Sequence, residues 1–159
     1  PDLLYAIAGE GPLAADLTQE IRTAGLAEHV LLLGRVTEAE KSALLTRADL
    51  FVMPNRMLED GDVEGFGIVF LEANLYGKPV IGGDSGGVPD AIAQGRSGLL
   101  VAPDDPQALA DAILTLLQSS ELRQQLGMEG ARRARTEFDW FQGAECLRQR
   151  LRQLIERNN

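Results

Sequence analysis

Two glutamates bracket the most chemically loaded segment of the chain, Glu64-Gly65-Phe66-Gly67-Ile68-Val69-Phe70-Leu71-Glu72. An ionised carboxylate only accepts hydrogen bonds, so each of the two suits paired hydroxyl donors. From Ile68 to Gly77 the one charged side chain is Glu72. It sits on a helix otherwise apolar enough to be buried, where a carboxylate is costly without a specific partner. That partner is either a neighbouring loop or a ligand. The same helix directs its unpaired amides and the positive end of its dipole at its N-terminus, a position that favours a phosphate. Loop and helix together separate the two carboxylates by on the order of 10 Å, whereas a retaining glycosidase pair needs about 5 Å. A hydrolytic dyad is therefore disfavoured. The layout suits an extended ligand with hydroxyls at both ends and phosphates between them, which is the layout of a nucleotide-diphosphate sugar.

The elements that must hold this segment follow from the apolar patterning. Leu3 to Ala8 is a short apolar run ended by Gly9-Glu10-Gly11-Pro12, a buried strand and its turn. Leu13, Leu17 and Ile21 then mark a helix to about Gly25. Val30 to Leu33 repeats the strand signal, and Thr37 with Glu40 makes a capping-box pattern before a second helix. Leu50 to Met53, Pro79 to Gly82 and Gly98 to Val101 read as further strands, with an apolar helix from about Gly67 to Tyr76 closed by Gly77. Strands apolar throughout and alternating with helices predict a Rossmann-like α/β fold, a doubly wound parallel sheet covered on both faces. Beyond Pro103 the pattern is helical only, ending in a helix from Trp140 to about Arg157 that is rich in Arg, Gln and Glu. With no repeat, low-complexity tract or linker, residues 1–159 read as a single domain.

In such sheets ligands lie outside the carboxyl ends of the strands. The loops there carry Gly9 and Gly11, Gly34, Gly65 and Gly67, and Gly82, Gly83, Gly86 and Gly87. Each glycine is either a tight turn or a place where a ligand approaches backbone closely. The clustering after successive strands favours the second reading.

Charge and composition exclude other functions. The 159 residues carry 15 Lys plus Arg against 24 Asp plus Glu, a net charge of −9, which repels duplex nucleic acid and anionic membranes on average. A lone Cys146 and a lone His29 provide neither an intrachain disulfide nor a His/Cys metal centre, so no metal or cofactor is expected. No apolar run reaches the ~20 residues that span a bilayer. A cytoplasmic location is the expectation, and any membrane contact lies outside this domain. The start on Pro1-Asp2, without Met and immediately before a strand, reads as a piece of a longer protein. His29 reads as structural or solvated, Arg132, Arg133 and Arg135 as a solvated helix face, and Trp140 with Phe141 as an anchor of the last helix on the core.

The Glu-x7-Glu segment stands in a longer series. Gly9-Glu10-Gly11-Pro12 and Leu33-Gly34-Arg35-Val36 precede it. Tyr76-Gly77-Lys78-Pro79-Val80, Gly86-Gly87-Val88-Pro89 and Gly98-Leu99-Leu100-Val101 follow it. In order and spacing this series resembles the C-terminal domain of group 1 (family 4) retaining glycosyltransferases, over nearly the whole chain. The resemblance implies the C-terminal half of a GT-B fold, in which two Rossmann-like domains face a cleft and the C-terminal one binds the nucleotide-sugar donor. It implies that Glu64 is the catalytic carboxylate, holding donor-sugar hydroxyls or stabilising positive charge on the sugar rather than acting as a covalent nucleophile. Gly65, Phe66 and Gly67 would lie beside the sugar, and the amides of Ile68 and Val69 near the diphosphate. Glu72 would take the ribose hydroxyls, and Arg35, Val36 and Glu38 would lie near the base. The last helix would cross back to the other domain.

Two departures from the family pattern stand out. Asp90 follows the Gly-Gly-x-Pro turn, where a Glu is usual. The family's donor-diphosphate Arg and Lys lie ahead of the strand matching Leu3 to Ile7, so this chain starts after them, and the N-terminal acceptor-binding domain is absent too. The isolated chain is accordingly expected not to turn over. Two other readings are a GT-B relative, such as a nucleotide-sugar epimerase or a phosphorylase, and a flavodoxin-like interaction domain whose glycine loops are only turns. An epimerase would want further acid/base residues, histidine especially, and His29 is the single histidine; a phosphorylase would want a cofactor lysine, and Lys41 and Lys78 are the only lysines. The interaction-domain reading predicts no nucleotide binding.

Overall fold

The computed structural model describes residues 3–58 and 61–157. Its contacts group into two compact units, residues 1–44 and 45–159. In the first unit, β1 (Tyr5–Ala8) pairs in parallel with β2 (Val30–Gly34), Tyr5 opposite Val30 and Ile7 opposite Leu32, with the register slipping between Ile7 and Ala8. Between them α1 (Ala14–Thr23) ends as its sequence dictates. Gly25 takes a φ of 69°, its amide donates to Arg22 O, and the Leu26 amide reaches back to Ile21 O. This is a Schellman ending, which glycine adopts without a Cβ penalty. The Thr37–Glu40 pair forms the predicted capping box at the start of α2 (Glu38–Arg47). Glu40 Oε2 accepts from Thr37 N at 2.7 Å and from its hydroxyl at 2.8 Å, while Glu40 N donates to Thr37 Oγ1 at 3.3 Å. Those bonds, the backbone one foremost, hold the Glu40 carboxyl below its usual range.

In the second unit β3 (Phe51–Met53), β4 (Val80–Gly83) and β5 (Gly98–Val101) form a parallel sheet in that order. The helical connections are α3 (Ile68–Leu75) and the single turn α4 (Val88–Ala91). Side chains alternate between two faces. Phe51, Met53, Val80 and Leu100 pack into one core with Phe70, Ala73, Val88 and Ile92. Val52, Ile81, Leu99 and Val101 pack into a second with Leu116, Leu126, Leu109 and Ile113. Both faces of the sheet are thus covered, which is why β4 is buried at every position and why its residues are apolar without interruption. Two parallel sheets with intervening helices are the α/β class expected from the patterning.

Three C-terminal helices complete the unit: α5 (Pro106–Gln118), α6 (Ser120–Thr136) and α7 (Trp140–Arg157). Asp105 caps α5 by accepting from Ala108 N at 2.9 Å, and Ser119 caps α6 by accepting from Leu122 N at 3.1 Å. The Arg123 guanidinium donates to the last carbonyls of α5, Leu116 O and Leu117 O. α6 lies close against α3 because its packing positions are glycine. A Cβ on Gly127 would stand 2.0 Å from Gly77 O, and one on Gly130 would stand 2.4 Å from Asn74 Nδ2.

Three expectations need correction. Arg133 is not on a solvated face but buried, its Nη1 donating to Ala91 O at 3.0 Å and to Ser97 Oγ at 3.1 Å. Its flanking arginines are exposed, Arg132 paired with Glu129 and Glu137 and Arg135 donating to Leu75 O. Trp140 and Phe141 do not anchor α7: they are 89% and 86% exposed, and no residue of α7 is buried. The run Leu3–Ala8 is not a buried strand, since β1 spans only Tyr5–Ala8 and Ile7 alone among these four is not exposed. His29 is exposed, with Nδ1 3.1 Å from Leu3 O.

Candidate functional site

The Glu64–Glu72 segment lies within the second unit, on the loop that follows β3 and the helix it leads into. Gly67 opens α3 with a φ of 83°, and a Cβ there would meet the Phe70 ring at 2.6 Å. Glycine is therefore required both by backbone conformation and by space. The preceding turn folds its own carboxylate onto the helix entrance. Glu64 Oε1 accepts from Gly67 N at 3.0 Å and from Phe66 N at 3.4 Å. A half-buried negative charge is held at the positive end of the helix dipole.

A second loop fixes the turn from behind. The Gly87 amide donates to Glu64 O at 3.0 Å, and the approach of the two backbones is very close. A Cβ on Gly87 would stand 1.9 Å from Gly65 O, one on Gly86 would stand 2.4 Å from Glu64 O, and one on Gly83 would stand 1.8 Å from Asn55 O. Gly82 is enclosed by Ile92, Val88 and Phe70. These four glycines, expected to admit a ligand, instead admit the chain's own loop and core side chains. At Gly9, Gly11, Gly34 and Gly65 nothing lies within 4 Å of where a Cβ would be.

The segment after the turn is graded in exposure. Ile68, the first residue of α3, is 67% exposed, Val69 and Glu72 are half-buried, and Phe70, Ala73 and Asn74 are fully enclosed. α3 ends as it began, on glycine geometry: the Gly77 amide donates to Asn74 O and the Lys78 amide to Ala73 O, with Gly77 at a φ of 71°. The helix that carries the candidate residues is thus fixed at both ends by local sequence.

Phe66 faces a residue the sequence did not single out. Its ring lies 5.5 Å from that of Phe138, tilted by 58°, and the Arg133 guanidinium stands 5.3 Å over the Phe138 ring. A signal for Arg133 was present in spacing, since Leu126, Gly130, Arg133 and Glu137 recur on one face of α6. Asp90, at the position where the family usually has Glu, is exposed within α4.

Arg35, Val36 and Glu38 belong to the first unit, at the junction of β2 and α2. Arg35 is exposed, Val36 is half-buried, and Glu38 pairs with Lys41 at 2.9 Å. Among the described residues no group of three or more His, Cys, Asp and Glu side chains is placed to hold a metal ion. Nor does any described helix have the length and apolarity to cross a membrane.

The second unit thus opens α3 on Gly67 with one carboxylate, Glu64, folded onto its N-terminus and a second, Glu72, about one turn further along. Residues 1–133 match the family model of glycosyl transferases group 1, and the chain belongs to that family. It is 37% identical over 141 residues, 88% of its length, to a GDP-mannose-dependent alpha-(1-6)-phosphatidylinositol monomannoside mannosyltransferase of Mycolicibacterium smegmatis, of which it spans 37%. Among solved structures it resembles Anabaena HepE in complex with UDP and glucose, with a TM-score of 0.81 and 25% identity, covering 96% of this chain and 41% of that one. It also resembles the C-terminal domain of a group 1 family glycosyl transferase, LpcC of Francisella tularensis, with a TM-score of 0.73 and 27% identity over 88% of this chain and 72% of that one.

Proposed function

We propose that this chain is the donor-binding domain of a glycosyltransferase that moves a sugar from a nucleotide-diphosphate sugar to an acceptor with retention of configuration. The observation that carries the reading is the Glu64–Gly67 turn, in which one carboxylate is held at the start of α3 by the Phe66 and Gly67 amides. The family membership, the mannosyltransferase relative and the UDP complex of the HepE neighbour support it.

In this reading the Glu64 carboxylate accepts from donor-sugar hydroxyls and offsets positive charge that develops on the sugar as its bond to the diphosphate breaks. Gly65, Phe66 and Gly67 form the surface beneath the sugar. The Ile68 and Val69 amides, in the first turn of α3, face the diphosphate, where the helix dipole favours its charge. Glu72 accepts from the ribose hydroxyls, and Arg35, Val36 and Glu38 lie near the base. No cofactor or metal takes part. An acceptor-binding N-terminal domain, to which α7 crosses back, completes the enzyme in the cytoplasm. The isolated chain binds nucleotide weakly and does not transfer sugar.

Calorimetric titration with GDP, UDP and ADP and with their sugar conjugates tests this reading, GDP-mannose first because of the mannosyltransferase relative. The expected result is binding of one nucleotide class, weakened about tenfold or more in Glu72→Ala, in line with the ~1.5–3 kcal/mol of a charge-assisted hydrogen bond. Binding that Glu72→Ala leaves unchanged would refute the ribose assignment. Sugar transfer by the isolated chain would refute the claim that it is inactive.

A further inference from the structure

The aromatic contact between Phe66 and Phe138 joins the candidate donor turn to a part of the chain outside the matched family segment, which ends at residue 133. Phe138 lies in the short junction between α6 and α7, directly after Glu137 at the end of α6. Asp139 next to it begins α7 by accepting from Gln142 N at 3.0 Å. A junction of this kind would ordinarily be free to shift, and here it is fixed.

Arg133 fixes it. Its Nε donates to Glu137 Oε2 at 2.9 Å, and its Nη1 donates to Ala91 O and to Ser97 Oγ. Ser97 is fully enclosed, and its Oγ also accepts from Ala93 N at 3.0 Å. A buried guanidinium with these partners has one available position, because any other would strand its charge away from water. With its guanidinium 5.3 Å over the Phe138 ring, it holds one face of that ring by cation–π attraction. Phe66 takes up the other contact, in the tilted geometry aromatic pairs favour. Phe66 is also the residue whose amide, with that of Gly67, receives the Glu64 carboxylate.

From this chain of contacts we infer that Phe138, seated by Arg133, is a positioning residue for the Glu64–Gly67 turn, setting where the Glu64 carboxylate stands relative to a bound donor sugar. The inference rests on the donor-site reading for its consequence but not for its geometry. Phe138 touches no ligand in this account. It acts through Phe66, so its removal loosens the sugar end of the site and leaves the ribose end, at Glu72, in place.

Two measurements on the chain separate the geometry from the function. The first needs no ligand: residue-resolved amide hydrogen exchange in wild type, Phe138→Ala and Phe138→Tyr. Phe138→Ala is expected to speed exchange of the Gly67 amide about tenfold or more, to leave Val80 to Gly82 in β4 unchanged, and to be rescued by Phe138→Tyr. Unchanged exchange at Gly67 would overturn the inference, as would an equal rise at Gly67 and in β4, which would mark a general loss of stability. The second measurement compares the affinity for GDP-mannose with that for GDP, and for UDP-glucose with UDP. The ratio contributed by the sugar should fall toward one in Phe138→Ala while nucleotide affinity holds, and a preserved ratio would overturn the inference. If the wild-type chain binds none of the four, the donor reading fails and the exchange result alone decides whether Phe138 positions the turn.

Discussion

β1 and β4 are strands of equal length drawn from equally apolar sequence, yet β4 is buried at all four positions and β1 leaves three of its four exposed. β4 is paired along both edges, to β3 and β5, and carries a packed core on each face. β1 is paired to β2. An apolar run specifies a strand, while the number of partners around it sets how much water it loses. The candidate carboxylates Glu64 and Glu72 stand on the better-buried scaffold, and the candidate base contacts Arg35, Val36 and Glu38 on the other.

The largest expected effect follows from truncating that scaffold. Phe70 is fully enclosed and meets Phe51 edge to face at 5.8 Å. Phe70→Ala should cost about 3–5 kcal/mol, while Ile7→Ala in β1, only half-buried, should cost about 1–2 kcal/mol. Urea denaturation followed through backbone NMR peaks of each unit measures both, and equal losses would break the contrast. A smaller effect is expected from Gly87→Ala, which sets a Cβ against Gly65 O. The turn must give way at a cost of about 1–3 kcal/mol, and the Glu64 O to Gly87 bond should be lost. Faster exchange of the Gly87 amide would show this, and a variant as stable as wild type with a protected Gly87 would contradict the close approach.

The smallest effect is electrostatic and lies on the outer face of α6. The Arg132 hydrogen bond, assisted by Arg96, lowers the Glu129 carboxyl to about 2. A group depressed on folding contributes stability above its unfolded pKa of 4.5 and loses it as pH falls toward about 2. Glu129→Gln should therefore lower stability by a small, constant amount above pH 4.5, including pH 7, flatten the acid limb between those values, and match wild type below about pH 2. High salt should shrink the difference.

The strand order and the longer helices, the glycine endings at Gly25 and Gly77 and the Thr37–Glu40 capping box were legible because each depends on neighbours in sequence, whereas the single turn α4 was read only as a Gly-Gly-x-Pro turn. So was the segment that forms the candidate site, since the Gly67 opening of α3 and the spacing of Glu64 and Glu72 are local. What the sequence hid are partners remote along the chain. Gly83, Gly86 and Gly87 serve loop-to-loop approach to Asn55, Glu64 and Gly65, and nothing near them in sequence names those residues. Arg133 read as solvated because arginine usually is, yet Ala91 O and Ser97 Oγ wait for it some forty residues away. Trp140 and Phe141 read as an anchor because large aromatics usually bury, and here α7 presents them outward.

The most direct test of the donor-site account is a map of where a nucleotide sugar touches the chain. Backbone amide shifts of the isotope-labelled chain should be recorded on titration with GDP-mannose and with UDP-glucose. The account predicts the largest shifts at Gly65, Gly67, Ile68 and Val69, with Glu72 close behind and β4 nearly still. Shifts confined to α7, or absent from the Gly65–Val69 stretch at saturation, would contradict it.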